Sequence, residues 1–139
     1  MKIDELKFQL KKLFGFNSFK GLQETVIRNL LNRENSFVVM PTGGGKSLCY
    51  QLAAVLGSGT TVVISPLKSL IHDQIKSLKE NNISCIVISG ETNKKELGLR
   101  RDEIEKGEYK LIYTTPETIG KNVIMSCILT ELYNNKKLD

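Results

Sequence analysis

Apolar residues fall at a helical spacing from the start of the chain. Ile3, Leu6, Leu10, Leu13 and Phe14 line one face of a helix over 3–14, and Gly15 is placed to stop it. After a turn, Val26, Ile27, Leu30 and Leu31 mark a second helix over about 22–31. The period then changes. Phe37-Val38-Val39-Met40 is a short apolar run, β-branched at its middle and ended by Pro41, and it predicts a buried strand. Further strands are expected over 60–64, 83–88 and 109–113, with helices over 46–56, 67–79, 94–106 and about 123–132. Four strands alternating with helices predict an α/β fold with a parallel sheet covered on both faces. Ligands on such sheets bind at the carboxyl ends of the strands. The unusual loops of this chain fall there, at 41–47, 65–69, 89–92 and 114–117.

A length of 139 residues allows one domain of this kind at most. Lys and Arg number 20 against 15 Asp and Glu, a net charge of +5. That excess suits a polyanionic partner such as nucleic acid, or simply a solvated, slightly basic surface. Cys49, Cys85 and Cys127 are odd in number and match no zinc spacing, so they read as reduced thiols of an intracellular protein, nuclear or cytoplasmic. His72 is the single histidine, which excludes a histidine metal site. The charged start is no secretory signal, and no apolar run is long enough to span a membrane.

The most specific chemistry is Thr42-Gly43-Gly44-Gly45-Lys46-Ser47, set between a predicted strand and a predicted helix. Three glycines leave no side chain between the backbone and a ligand, so successive N–H groups are free to turn toward phosphate oxygens. The helix beginning near Lys46 adds its positive end. Lys46 supplies a full charge for the β- and γ-phosphates of ATP, and the Ser47 hydroxyl a ligand for the accompanying Mg2+. The first glycine of the general P-loop pattern falls here on Met40. The bland alternative is a glycine turn with an incidental lysine, which the strand–loop–helix context disfavours.

The residues around this loop extend the picture. Phe14-Gly15-Phe16, Phe19-Lys20 and Gln23, then Met40 through Gln51, Ser65-Pro66-Leu67-Lys68-Ser69-Leu70 with Asp73-Gln74, and Tyr113-Thr114-Thr115-Pro116-Glu117 keep a fixed order. In that order and spacing the chain resembles the RecQ-type ATP-dependent DNA helicases from about residue 6 to 120. The resemblance implies a RecA-like P-loop lobe preceded by two N-terminal helices, divided into residues 1–33, which read adenine, and 34–139, a partial ATP-binding lobe. It implies that Phe16 stacks on the base, that Gln23 pairs with the adenine edge, and that Lys20 stands where the family usually has arginine. It also implies that Ser65, Pro66, Lys68, Ser69, Thr115, Pro116 and Glu117 track single-stranded DNA without regard to sequence, with Ser89-Gly90 a fainter candidate. Local mechanics offer alternatives: Gln23 as a surface glutamine, Lys68 as a solvated lysine, and the two loops as capped turns into helices.

The family's Asp-Glu-x-His motif, which holds magnesium and positions water, does not occur in these 139 residues. Its strand would begin at about Lys136. The expectation is therefore a lobe truncated before that strand, with an apolar sheet edge, marginally stable alone. Such a lobe would bind ATP weakly at most, would not hydrolyse it, and would need the remainder of a helicase as its partner. Two other readings stay open. One is a DEAD-box-type RNA helicase fragment. The other is a non-catalytic nucleotide- or DNA-binding module or relic.

Overall fold

The sheet of this molecule has three parallel strands in the order β1-β3-β2, where β1 is Thr61–Ile64, β2 is Cys85–Ile88 and β3 is Leu111–Thr114. The computed structural model describes residues 1–41 and 45–139. Thr42, Gly43 and Gly44 lie outside the described residues. The chain divides into two units, Met1–Leu56 and Gly57–Asp139.

The first unit is helical. α1 (Ile3–Phe14) buries Leu6 and Leu10 completely, as its apolar stripe requires. It ends at Gly15, which takes φ +78 and donates its N–H to the Lys11 carbonyl at 2.9 Å. A left-handed residue closes a helix this way at least cost when it is glycine. α2 (Gln23–Leu31) and α3 (Lys46–Leu56) complete the core, with Val26, Ile27, Leu48, Cys49 and Leu52 buried against α1.

Residues 37–40 correct the expectation of a buried strand. They belong to no strand, and Phe37 and Val39 are exposed. Val38 and Met40 pack on the helical core. The alternation of an extended segment is present, with one face covered and one turned to solvent. A strand also needs a neighbouring backbone to take its N–H and C=O groups, and apolar character does not provide one.

The second unit carries the sheet. Val62, Ile112 and Ile86 stand in register across it, as do Ile64, Thr114 and Ile88. On the face that holds Ile88, Ile112, Val62 and Ile86 lie Leu97 and Ile104 of α5 (Lys94–Glu105), with Met125, Ile128 and Leu132 of α7 (Val123–Asn134). α4 (Lys68–Glu80) packs on β2 from the other face, where the Cys85 thiol meets the Ile75 carbonyl at 4.0 Å. The sheet is covered on both faces, as the alternation predicts.

One helix adds to the expected set and agrees with the capped-turn reading of residues 114–117. α6 (Pro116–Lys121) follows β3 directly; the Thr115 hydroxyl accepts from the Thr118 N–H at 3.3 Å, and Pro116 takes the first helical position. This makes seven helices among the described residues. The last residues run along β1: Thr60 donates to the Lys137 carbonyl at 2.6 Å, Asp139 donates to the Thr60 carbonyl at 2.9 Å, and Thr60 and Leu138 form a parallel bridge. The next N–H, that of Thr61, goes to Lys110 at 2.9 Å. Successive N–H groups of an extended chain point to opposite sides, so Leu138 lies on the side of β1 away from β3.

Candidate nucleotide and nucleic-acid sites

The candidate phosphate end is built where the chain enters α3. Lys46 is the first residue of that helix and is exposed; Ser47, the second, is half-buried. A helix start carries a partial positive charge, which favours an anion there. Of the sequence-proposed loop residues, Thr42, Gly43 and Gly44 fall outside the described residues. Gly45 takes φ +78, and a Cβ there would stand 2.1 Å from Nε2 of Gln23. The positive φ favours glycine, and a Cβ there would displace the Gln23 amide.

Gln23 is 3% exposed, which excludes the surface-glutamine alternative. Its Nε2 donates to the Gly45 carbonyl at 3.1 Å, and its Oε1 accepts from the Lys20 N–H at 2.8 Å. The Gln23 N–H returns to the Lys20 carbonyl at 3.1 Å, so the turn into α2 is closed reciprocally, in the manner of a capping box. Lys20 and Phe16 are exposed on the segment between α1 and α2, and Phe19 beside them packs into the core. The three residues proposed for the base thus occupy one short stretch, with an aromatic face and a charge open to a ligand. Ordinary folding demands neither.

Among the described residues no cluster of three or more His, Cys, Asp or Glu could hold a metal.

The candidate nucleic-acid site lies in the second unit, at the carboxyl ends of all three strands. A cleft of about 710 Å³ is lined there by Pro66 and Lys68 after β1, Gly90 and Lys94 after β2, and Thr115, Glu117 and Lys121 after β3. It gathers Pro66, Lys68, Thr115 and Glu117 from the sequence-proposed set. Ser65, Ser69 and Pro116 are not in its lining. The Ser65 hydroxyl accepts from the Leu67 N–H at 3.4 Å, and Ser69 is exposed on the first turn of α4. Thr115 is buried and spends its hydroxyl on Thr118, so at this loop the capping alternative holds. α4 has no side-chain cap, so capping does not account for Ser65 to Ser69.

Lys94 and Lys121 were missed. Each stands at one end of a helix that follows a strand, and only the strand order brings them beside Lys68. Glu91 was missed too: its Oε1 lies 2.6 Å from Nζ of Lys68. That hydrogen bond, with the lysine's charge, holds the Glu91 carboxyl below its ordinary pKa.

The three-stranded parallel sheet with its flanking helices is the fold of a RecA-like helicase lobe. The DEAD/DEAH box helicase family model matches residues 20–138, and the chain belongs to that family. Its similarity within the family is to the RecQ type. It is 42% identical over 111 residues to "ATP-dependent DNA helicase RecQ" of Bacillus subtilis, covering 79% of this chain and 19% of that protein. It is 44% identical over 130 residues to "ATP-dependent DNA helicase Q-like 4B" of Arabidopsis thaliana, covering 92% of this chain and 11% of that protein. To "ATP-dependent DNA helicase Q1" of Mus musculus it is 38% identical over 136 residues, 96% of this chain and 21% of that one. The chain thus spans about a fifth or less of the length of these relatives. No helix among the described residues is long and apolar enough to cross a membrane.

Proposed function

We propose that this chain is the nucleotide-binding part of the first motor lobe of a RecQ-type, 3′ to 5′, ATP-dependent DNA helicase. Residues 1–33 read adenine, and 34–139 form the ATP-binding lobe. The observation that carries the reading is the seating of Gln23 against Gly45, at the point where the glycine run meets Lys46 and the start of α3. It joins a base-reading segment to a phosphate-binding one within a chain of the helicase family.

Each residue has a role that follows from its chemistry. Lys46 neutralises the β- and γ-phosphates, and the N–H groups at the start of α3 take their oxygens. The Ser47 hydroxyl would be one of the groups holding the Mg2+ that enters with ATP. When bound, that ion spreads the charge of the phosphates. Phe16 stacks on the base and Lys20 adds charge beside it. Lys20 lacks the planar fork of an arginine, so its contact is that of a point charge.

In the cleft, Lys68, Lys94 and Lys121 take successive phosphates of a single strand. Phosphates carry no sequence information, so binding tolerates any sequence. The setting is intracellular, in the nucleus or cytoplasm, where DNA and free thiols occur together. The residues present supply the nucleotide-binding part of the helicase chemistry.

Fluorescence anisotropy of labelled single-stranded oligothymidylate and of oligouridylate of equal length tests the reading. Saturable DNA binding that weakens in the Lys68→Ala and Lys121→Ala variants is expected. Binding of RNA alone, or DNA binding indifferent to both lysines, would contradict it.

A further inference from the structure

We propose that Gln23 is a positioning residue for the phosphate end of the site: it braces the exit of the glycine loop through the Gly45 carbonyl. This rests on the nucleotide reading above and goes beyond base recognition.

A primary amide has two N–H donors and an oxygen with two lone pairs. In Gln23 one N–H is given to Gly45 at 3.1 Å, and one lone pair to Lys20 at 2.8 Å. Among the described residues one donor and one acceptor remain, which is the pair that the N6 and N7 edge of adenine requires. A single amide thus has the capacity to hold the loop and meet the base at once. The hold on the loop is built in. Gln23 is 3% exposed, and its bond to Gly45 spans 22 residues of chain. The missing Cβ of Gly45 makes room for the amide nitrogen. The Gly45 carbonyl receives a further weak donor, the Cys49 thiol at 3.8 Å, from inside α3. Gly45 is the residue immediately before Lys46, so fixing its carbonyl fixes the plane of the peptide that carries the Lys46 N–H. That N–H is one of the donors a phosphate would meet. Bracing it beforehand removes an ordering cost from phosphate binding.

A ligand without a base separates this role from base reading. Inorganic tripolyphosphate with Mg2+ is titrated by calorimetry against the chain and its Gln23→Leu and Gln23→Glu variants. The leucine removes both bonds. The glutamate keeps an acceptor for Lys20 but loses the donor to Gly45. The expected result is a loss of roughly tenfold in tripolyphosphate affinity in both variants, the scale of one partly buried hydrogen bond, with far-ultraviolet dichroism unchanged. If ATP binding weakens while tripolyphosphate affinity stays as in the parent, Gln23 reads the base only and the proposal is overturned.

If the parent chain binds neither ligand, the nucleotide reading itself fails. The brace is then judged by hydrogen exchange. Amide exchange at Gly45 and Lys46 at least several-fold faster in Gln23→Leu supports it, and unchanged rates overturn it. Loss of the fold in both variants also overturns it, because a brace on one loop predicts a local effect.

Discussion

Nζ of Lys68 lies 2.6 Å from Oε1 of Glu91, an ion pair between the first residue of α4, which lines the cleft, and the loop after β2. Both side chains are largely exposed, so the pair adds little to stability. Its consequence is competition, because a DNA phosphate must displace the carboxylate to reach Lys68. Glu91→Gln is therefore expected to tighten oligothymidylate binding two- to fivefold, about the worth of one exposed ion pair. Glu91 has its pKa lowered in the folded chain. The pair is thus fully formed above the ordinary carboxylate range, and is lost as pH falls through the lowered value. The gain from the variant should accordingly be complete at neutral pH and vanish in acid. Anisotropy titrations of both proteins across that range check this; weaker binding by the variant at neutral pH would mean that Glu91 orients Lys68 instead.

Lys94 and Lys121 give the cleft its remaining cations. Each phosphate neutralised on a single strand contributes about −0.7 to the slope of log affinity against log salt. Three lysines predict a slope of about −2, and Lys94→Ala or Lys121→Ala should each reduce its magnitude by about 0.7. A slope unmoved by either substitution would place the strand elsewhere.

Thr114 ends β3 with its side chain fully buried, and its hydroxyl has no hydrogen-bond partner among the described residues. An unmet buried hydroxyl costs about 1–3 kcal/mol, and valine has the same shape without that demand. Thr114→Val is expected to stabilise the chain by about 1 kcal/mol and to raise its melting temperature by roughly 3–5 °C. A lower melting temperature on a scanning calorimeter would show that the hydroxyl is satisfied in solution.

The three thiols differ in reach. Cys49 and Cys85 are buried, and burial raises the pKa of both; Cys127 is only half-buried. Thiolate is the reactive form, so iodoacetamide at neutral pH should modify Cys127 first. The other two should react at appreciable rates only when denaturant is added. Peptide mass mapping after a timed exposure distinguishes the sites, and early labelling of Cys49 would contradict the packing of α3.

Local patterns carried α1 to α3 and the helices after each strand, because period and glycine stops are properties of a short stretch. Gly15 ended α1 where expected, and residues 46–56 formed the helix read from them. Residues 37–40 failed for a non-local reason, since a strand exists only through its neighbour. α6 was legible in principle: Thr115, Pro116 and Thr118 are a cap, a first-turn proline and the capped position. The capped turn into a helix was one of two readings of these residues, and their contact role the other. At the sites, the residue types were legible and their company was not. The sequence marks Gln23, Lys46 and Lys68, but the seating of Gln23 on Gly45 spans 22 positions and the pairing of Lys68 with Glu91 spans 23. Lys94 and Lys121 join Lys68 only because β1 and β2 both flank β3.

A phosphate-binding site at the start of α3 is what the nucleotide reading requires. Titration of the isotope-labelled chain with Mg2+-ATP, followed by amide chemical shifts, tests it most directly and detects weak binding. Saturable shifts centred on Gly45, Lys46 and Ser47 are expected, abolished in a folded Lys46→Ala variant. Absence of shifts at those residues, or the same titration curve in the variant, would contradict it.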